Sequence, residues 1–155
     1  MSYSQDEAML KKVLSAIINS TAGLKYALII DDTGITIISQ SKFQMSDDDI
    51  SVEKIGAIGG AVFTAGEEQG QILGYGEISL QITEYAKGLI FSVKTGNGVL
   101  CVATDLNVQI GFIRSILKKW APKIGNILKR YLKTDQDAIN EELKELFNSD
   151  TIGLL

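Results

Sequence analysis

Three short apolar segments joined by tight glycine turns constrain the fold of this chain more than any other feature. Residues 77–85, 88–95 and 98–104 are rich in β-branched and aromatic side chains, and Ala86-Lys87-Gly88 and Gly96-Asn97-Gly98 join them. Asn-Gly between two apolar runs is a strong signal for a β-hairpin. Because these turns leave no room for a helical crossover, we expect the three strands to form an antiparallel meander.

A further hairpin is predicted earlier in the chain. Residues 25–31 and 34–40 are apolar, and the sequence Asp31-Asp32-Thr33-Gly34 between them is typical of a turn. The first of these strands carries apolar side chains on both faces. A sheet with one wet face would alternate with polar residues, so we expect helices to cover both faces of this sheet.

Helical spacing of apolar residues predicts helices over about 4–20 and 50–67, and a third that starts near Asn107. Pro122 has no backbone N–H, so we expect it to kink or interrupt the third helix. A last helix is predicted over about 135–147. On one stripe it would carry Ile139, Leu143, Leu146 and Phe147.

Runs of strands without helical crossovers favour the α+β class. We expect a five-stranded antiparallel sheet flanked by helices on both faces, in the order α-β-β-α-β-β-β-α, with a C-terminal helical extension. A length of 155 residues suits one domain with an appended element. We place the domain at residues 1–133 and an acidic amphipathic helix at 134–155.

The second predicted helix is unusually rich in glycine. Each interior glycine costs a helix up to about 1 kcal/mol relative to alanine, and close approach of another backbone is the usual compensation. That backbone belongs either to a second copy or to the chain's own sheet, and we favour the second copy. The strand over 77–85 adds a long edge without proline, which is a liability unless it is paired. The predicted dimer contacts are Ile55, Gly59, Val62, Leu80, Ile82 and Tyr85.

Several catalytic and metal sites are excluded or disfavoured. The chain has no histidine, which removes serine–histidine and cysteine–histidine catalysis in their usual forms and the commonest zinc ligand. Gly74-x-Gly76 and Gly96-x-Gly98 lack the other residues of a phosphate-binding loop. Cys101 lies in the middle of a strand and is interpreted as a buried, inert thiol. We expect no enzyme activity, no cofactor and no metal site.

Two acidic motifs have ordinary interpretations. Asp32-Thr33-Gly34 matches the catalytic triplet of aspartic proteases, which need two facing aspartates. Retroviral-type proteases are nearly all β, whereas at least four helices are predicted here, so a hairpin turn is favoured. Asp47-Asp48-Asp49 is interpreted as a solvated acidic loop or an N-terminal helix charge. A consecutive run cannot wrap an ion as alternating loop ligands do.

Charge changes sign abruptly near the C-terminus. Seven basic residues and no acid lie between residues 106 and 134, and six acids against Lys144 lie between 135 and 150. The basic helix would suit an acidic partner or peripheral contact with an anionic membrane. We slightly favour an acidic helix that folds back onto it, or two segments that face water. The net charge of −4 implies no general affinity for nucleic acid.

The first twenty residues contain no apolar run of signal-peptide type, and the longest strongly apolar run, Tyr26 to Ile30, is far too short to span a bilayer. The single cysteine fits a reducing compartment. We therefore expect a cytoplasmic protein that does not insert into membranes.

The order of these motifs resembles the roadblock/LC7 family, a relative of profilin-like and longin domains. The resemblance covers about residues 8–121. It is carried by the hairpin ALIIDDTGITIIS, the helix IGAIGGAVFTAG, the meander ending in GNGVLCVAT, and Asn107, Gly111 and Arg114 at the opening of the third helix.

The resemblance implies a homodimer or a heterodimer with a homologous roadblock protein. In such dimers the third strands pair edge to edge and the second helices pack together. It also implies a noncatalytic regulator or scaffold for a small Ras-like GTPase, with no cofactor. Two alternatives stay open: an adaptor subunit of a motor or membrane complex without a GTPase partner, and a small-ligand sensor. Arg114 and Lys118 are the candidate partner contacts outside the dimer.

Overall fold

A computed structural model describes residues 3–42 and 51–153 of the chain. Within these ranges the elements are α1 (Tyr3–Ile18), β1 (Leu24–Asp31), β2 (Thr36–Ser41), α2 (Val52–Leu73), β3 (Gln81–Tyr85), β4 (Gly88–Thr95), β5 (Gly98–Thr104) and α3 (Ile110–Gly153). The acidic motif at residues 47–49 lies outside the described residues.

The five strands form one antiparallel sheet in the order β2-β1-β5-β4-β3. The predicted hairpin pairs β1 with β2, and the predicted meander pairs β3 with β4 and β4 with β5. Pairing of β1 with β5 joins the two units. Because sequence neighbours pair on either side of that join, β2 and β3 are left at the two edges of the sheet. The predicted α+β class and five-stranded sheet are confirmed.

Helices cover both faces of the sheet, as the two-sided apolar strands predict. On one face α1 and α3 bury a large core around Phe91, whereas α2 packs Phe63 against a smaller cluster on the other face. Strand β1 contributes alternately to both clusters: Ile29 lies in the first and Ile30 in the second. This alternation follows from the two-residue period of a strand.

The third strand is shorter than the sequence pattern predicts, since β3 begins at Gln81 and not at residue 77. Ile78 packs against the cluster on the α2 side, whereas Leu80 packs against the core on the α1 and α3 side. Residues two apart in a regular strand share one face, so Ile78 and Leu80 cannot both belong to the same straight strand. Tertiary packing has overridden a good strand pattern here.

The third helix does not end at Pro122 and runs without interruption from Ile110 to Gly153. Proline removes one helical hydrogen bond, the one that the carbonyl of Lys118 would accept. Leu117, Ala121 and Ile124 on either side of it are buried in the core, which holds the helix together across this gap. Of the two predicted effects of Pro122, the interruption was wrong, whereas the kink stays a prediction. The acidic segment continues along the helix axis and does not fold back onto the basic segment.

Candidate interaction surface

The outward face of α2 is an apolar surface without cover in the described chain. Ile55, Ile58 and Val62 are 41%, 57% and 48% exposed, although all three are large apolar residues. Their spacing of three and four residues places them on one side of the helix. Single exposed apolar residues are normal, but a contiguous row of them marks an interaction site. Ile55 and Val62 therefore lie where the sequence analysis expects dimer contacts.

The glycines of α2 face the chain's own sheet, and that contact explains them. A Cβ atom on Gly59 would lie 3.5 Å from Ile30 Cδ1 and 3.6 Å from Cys101 Sγ, and one on Gly60 would lie 3.0 Å from the Cα atom of Gly34. A Cβ on Gly56 would overlap the hydroxyl of Thr36. The close approach expected at these glycines is therefore observed, but the surface that approaches them belongs to the same chain and not to a second copy. Gly59 faces the sheet, although it lies between Ile55 and Val62 along the helix.

The β3 edge supplies a second exposed surface. Ile82 and Tyr85 are 39% and 54% exposed, and β3 has a strand partner, β4, on one side only. Leu80 precedes the strand and is half-buried against the main core. Its side chain therefore packs on the side of the sheet that faces the main core and supports the β3 edge there.

The segment that leads from α2 into β3, residues 75–80, is fastened by three different elements. Glu67 of α2 accepts the backbone N–H of Ile78 at 3.1 Å, and Lys94 of β4 pairs with Glu77 at 3.5 Å. From α3, the ammonium of Lys118 donates to the backbone carbonyl and, at 2.6 Å, to the hydroxyl of Ser79. Both hydrogen bonds described for Lys118 are therefore made within the chain. The sequence analysis proposed Lys118 as a partner contact and did not predict that it holds Ser79.

Arg114, the other candidate contact on α3, is exposed and lines a cleft of about 480 Å³. The cleft lies between the C-terminal half of α2 and β3, with Leu73, Tyr75 and Ile82 also in its wall. The β3 edge and the C-terminal half of α2 therefore adjoin each other around this cleft, whereas Ile55, Ile58 and Val62 do not line it. Arg114 carries the only formal charge on α3 that reaches it among the described residues.

The remaining chemical groups are built into the fold. Asp31 accepts the backbone N–H groups of Thr33 and Ile35 and the Thr33 hydroxyl, so the acidic hairpin forms a closed turn. Cys101 is buried and hydrogen-bonds with Ser92 at 3.2 Å; burial raises the pKa of its thiol, and the bond to Ser92 lowers it by less. The described residues contain no group of three or more ligands suited to a metal ion. None of the described helices is long and apolar enough to cross a membrane.

No family model matches the sequence. Three uncharacterised proteins of Methanocaldococcus jannaschii are similar to it. MJ0310 and MJ1340 are each 32% identical over 116 residues, which is 75% of this chain and 96% of each relative. MJ0714 is 31% identical over 118 residues, 76% of this chain and 95% of its own length.

Solved structures with the same architecture include two MglB proteins and a roadblock/LC7 domain. A structure described as MglB with tetrameric arrangement matches with a TM-score of 0.73 at 15% identity, over 81% of this chain and 92% of that one. The gliding protein mglB of Thermus thermophilus gives 0.72 at 14% over the same shares. The roadblock/LC7 domain of Streptomyces avermitilis gives 0.68 at 14%, over 76% of this chain and 96% of that domain.

Proposed function

The chain belongs to one family with the three Methanocaldococcus jannaschii proteins and has the roadblock/LC7 fold, and on this basis we propose that it is a noncatalytic, dimeric regulator or scaffold of a small Ras-like GTPase. Function is a property of sites and not of folds, so the proposal has to rest on a surface of this chain. Two surfaces carry it: the apolar face of α2 and the open edge of β3.

The proposed dimer pairs β3 of one copy with β3 of its partner and packs the two α2 faces together. An unpaired strand edge offers backbone donors and acceptors that a second copy satisfies. Ile55, Ile58 and Val62 then lose their contact with water, which favours association by about 25 cal/mol per Å² of apolar area buried. In this arrangement Ile82 and Tyr85 contact the partner, Leu80 supports the edge, and Gly59 makes no contact across the interface.

The GTPase partner is supported by the family resemblance and by the position of Arg114. Arg114 lines a cleft of mixed polar and apolar character together with Glu77. The planar guanidinium of an exposed arginine is suited to a carboxylate or phosphate on a bound protein. Lys118 is less suited to that role because it already holds Ser79. We therefore assign the proposed GTPase contact to Arg114 and a positioning role to Lys118.

The test of the dimer compares two aspartate substitutions on α2. Val62→Asp places a charge in the apolar face, whereas Thr64→Asp places the same charge at an exposed position on the other side of the helix. In solution, light scattering after gel filtration should give twice the monomer mass of 16.8 kDa for the wild type and for Thr64→Asp, and the monomer mass for Val62→Asp. Equal masses for all three chains would refute the α2 interface.

The test of the partner is a pull-down with small Ras-like GTPases encoded in the same genome. Each is loaded with GDP or with a non-hydrolysable GTP analogue, and retention by the immobilised wild type is compared with retention by Arg114→Ala and by Lys129→Ala, an exposed control on α3. Nucleotide-dependent retention that Arg114→Ala alone weakens supports the proposal. Absence of retention in either nucleotide state favours the adaptor function.

A further inference from the structure

The helical layer that α1 and α3 form on one face of the sheet is strongly basic. In α1 and residues 110–133 of α3, nine basic residues stand against two acids, whereas α2 on the other face has three acids and one lysine. Both acids of the layer are already paired, Glu7 with Lys11 and Asp6 with Arg130. The surplus of positive charge is therefore not neutralised within the layer.

Lysines that no acid engages carry most of this charge. All are exposed, and none forms an ion pair with another described residue. We call this set the lysine face, and its members are Lys12, Lys119, Lys123, Lys129 and Lys133. A hydrated ammonium on a flexible stem is attracted to negative charge without a fixed geometry. The lysine face therefore suits an extended anionic surface better than a single bound anion.

The outer stripe of α3 becomes apolar further along the helix. We call residues 136–148 the acidic extension, in which every described side chain is exposed although the helix continues. Leu143 follows Lys129, and Phe147 follows Lys133, at an interval close to four helical turns. Leu143 and Phe147 are 46% and 69% exposed. One stripe of the helix therefore passes from lysines to large apolar side chains.

The acids of the acidic extension lie away from this stripe. At about 100° per residue, each is at least about 100° around the helix from the mean direction of Leu143 and Phe147. These acids are Asp137, Glu141, Glu142 and Glu145. A flat surface in contact with the lysines and with Leu143 would therefore leave these carboxylates in water.

We propose that the lysine face, together with Leu143 and Phe147, binds peripherally to the surface of an anionic lipid membrane. Each lysine near such a surface strengthens binding about fivefold, and the apolar side chains of an interfacial helix enter the headgroup layer. A nucleic acid offers similar charge but no apolar layer for Leu143, and its phosphates favour arginine, which the lysine face lacks. A membrane accounts for both parts of the stripe.

Membrane binding does not depend on the proposed function. The lysine face lies on the α1 and α3 side of the sheet, whereas the proposed dimer uses α2 on the other side and the β3 edge. Val62→Asp, the variant of the α2 interface, should therefore still bind the membrane. The failure of one proposal is thus distinguishable from the failure of the other.

The experiment is sedimentation of the full chain with lipid vesicles at low and high salt. One set of vesicles contains phosphatidylcholine alone, and the other contains equal parts of phosphatidylcholine and phosphatidylglycerol. The charge variant is Lys129→Glu with Lys133→Glu. Its matched control is Lys54→Glu with Lys87→Glu, two exposed lysines outside α1 and α3.

A second pair of variants tests the apolar part of the stripe. Leu143→Ser is compared with Ile35→Ser, because Ile35 is 64% exposed in the turn between β1 and β2. Retention of the wild type on an immobilised DNA duplex is measured at the same salt concentrations.

The wild type and both controls should sediment with the anionic vesicles at low salt and not with phosphatidylcholine alone. Binding should be at least about tenfold weaker for the charge variant and about fivefold weaker for Leu143→Ser. A wild type that does not sediment with anionic vesicles would overturn the proposal, and so would retention on DNA in place of vesicle binding. The same holds if either variant binds as strongly as its control.

Discussion

At the scale of single residues, the glycines of α2 show what the sequence pattern predicts about this helix and what it does not. Their number predicts a close contact, but periodicity does not tell which of two apolar faces turns toward the sheet. Ile55 and Val62 were predicted as contacts together with Gly59, yet only the first two face outward. The distinction depends on the hairpin turn at Gly34, which approaches α2 from a distant part of the chain.

Gly56→Ala should lower the free energy of unfolding by about 1–3 kcal/mol, the usual cost of overpacking. The new methyl group would overlap the side chain of Thr36, whose hydroxyl donates to the Val52 carbonyl. Gly111→Ala is the matched control, because a Cβ atom there meets nothing within 4 Å. It should raise the free energy by up to about 1 kcal/mol. Urea denaturation measures both; equal effects would contradict the close contact.

Cys101 should react with iodoacetamide only through unfolding. Burial raises the pKa of the thiol in the folded state, so the protonated form is favoured there. The free energy of unfolding therefore falls as pH rises past the pKa of the same thiol in the unfolded chain. At neutral pH the native protein should be alkylated at least about a thousandfold more slowly than the chain in urea. Comparable rates, measured by mass spectrometry, would show an accessible thiol.

At the scale of elements, most strand boundaries beside short turns were predicted to within a residue or two, whereas the start of β3 and the end of α2 were not. Hairpin turns such as Gly96-Asn97-Gly98 are local and can be recognised from sequence. The start of β3 depends on Ile78 and Ser79, which Glu67 and Lys118 hold from elements distant in sequence. No local pattern carries that information.

Lys118→Met should weaken the proposed dimer, although Lys118 itself is not one of the residues that contact the partner copy. Loss of the bonds to Ser79 frees the segment before β3, and the free energy of unfolding should fall by about 1 kcal/mol. The dimer dissociation constant should rise, because the β3 edge is no longer held in place. Lys129→Met, an exposed position on the same helix, should leave both quantities unchanged. A dissociation constant that Lys118→Met does not change would exclude the positioning role.

Pro122→Ala should stabilise α3, because alanine restores the N–H that can donate to the Lys118 carbonyl. The gain in unfolding free energy should approach about 3 kcal/mol, the difference between proline and alanine in a helix interior. Pro122 is exposed, so the shorter side chain leaves no buried cavity. Thermal unfolding followed by circular dichroism measures the change. A lower melting temperature would show that the helix is adapted to the proline.

At the scale of the whole molecule, the five-stranded sheet with helices on both faces follows from the sequence because the hairpin turns are local signals and β1 is apolar on both sides. The relation of the C-terminal segment to the domain does not. Alternating charge blocks suggest that the acidic helix folds back, but a helix that continues past Pro122 makes that contact impossible within one copy. Complementary charges within one sequence can meet within a chain or between chains, and only the path of the backbone decides.

Ending the chain after Lys133 should therefore leave the domain's stability unchanged. All described side chains from residue 136 to 148 are exposed, so their removal uncovers no core residue and the urea midpoint should stay the same. The α2 dimer should persist, because neither α2 nor β3 is affected. A truncated chain with a lowered midpoint would show that the extension belongs to the folded domain, and 1–133 would then be the wrong boundary.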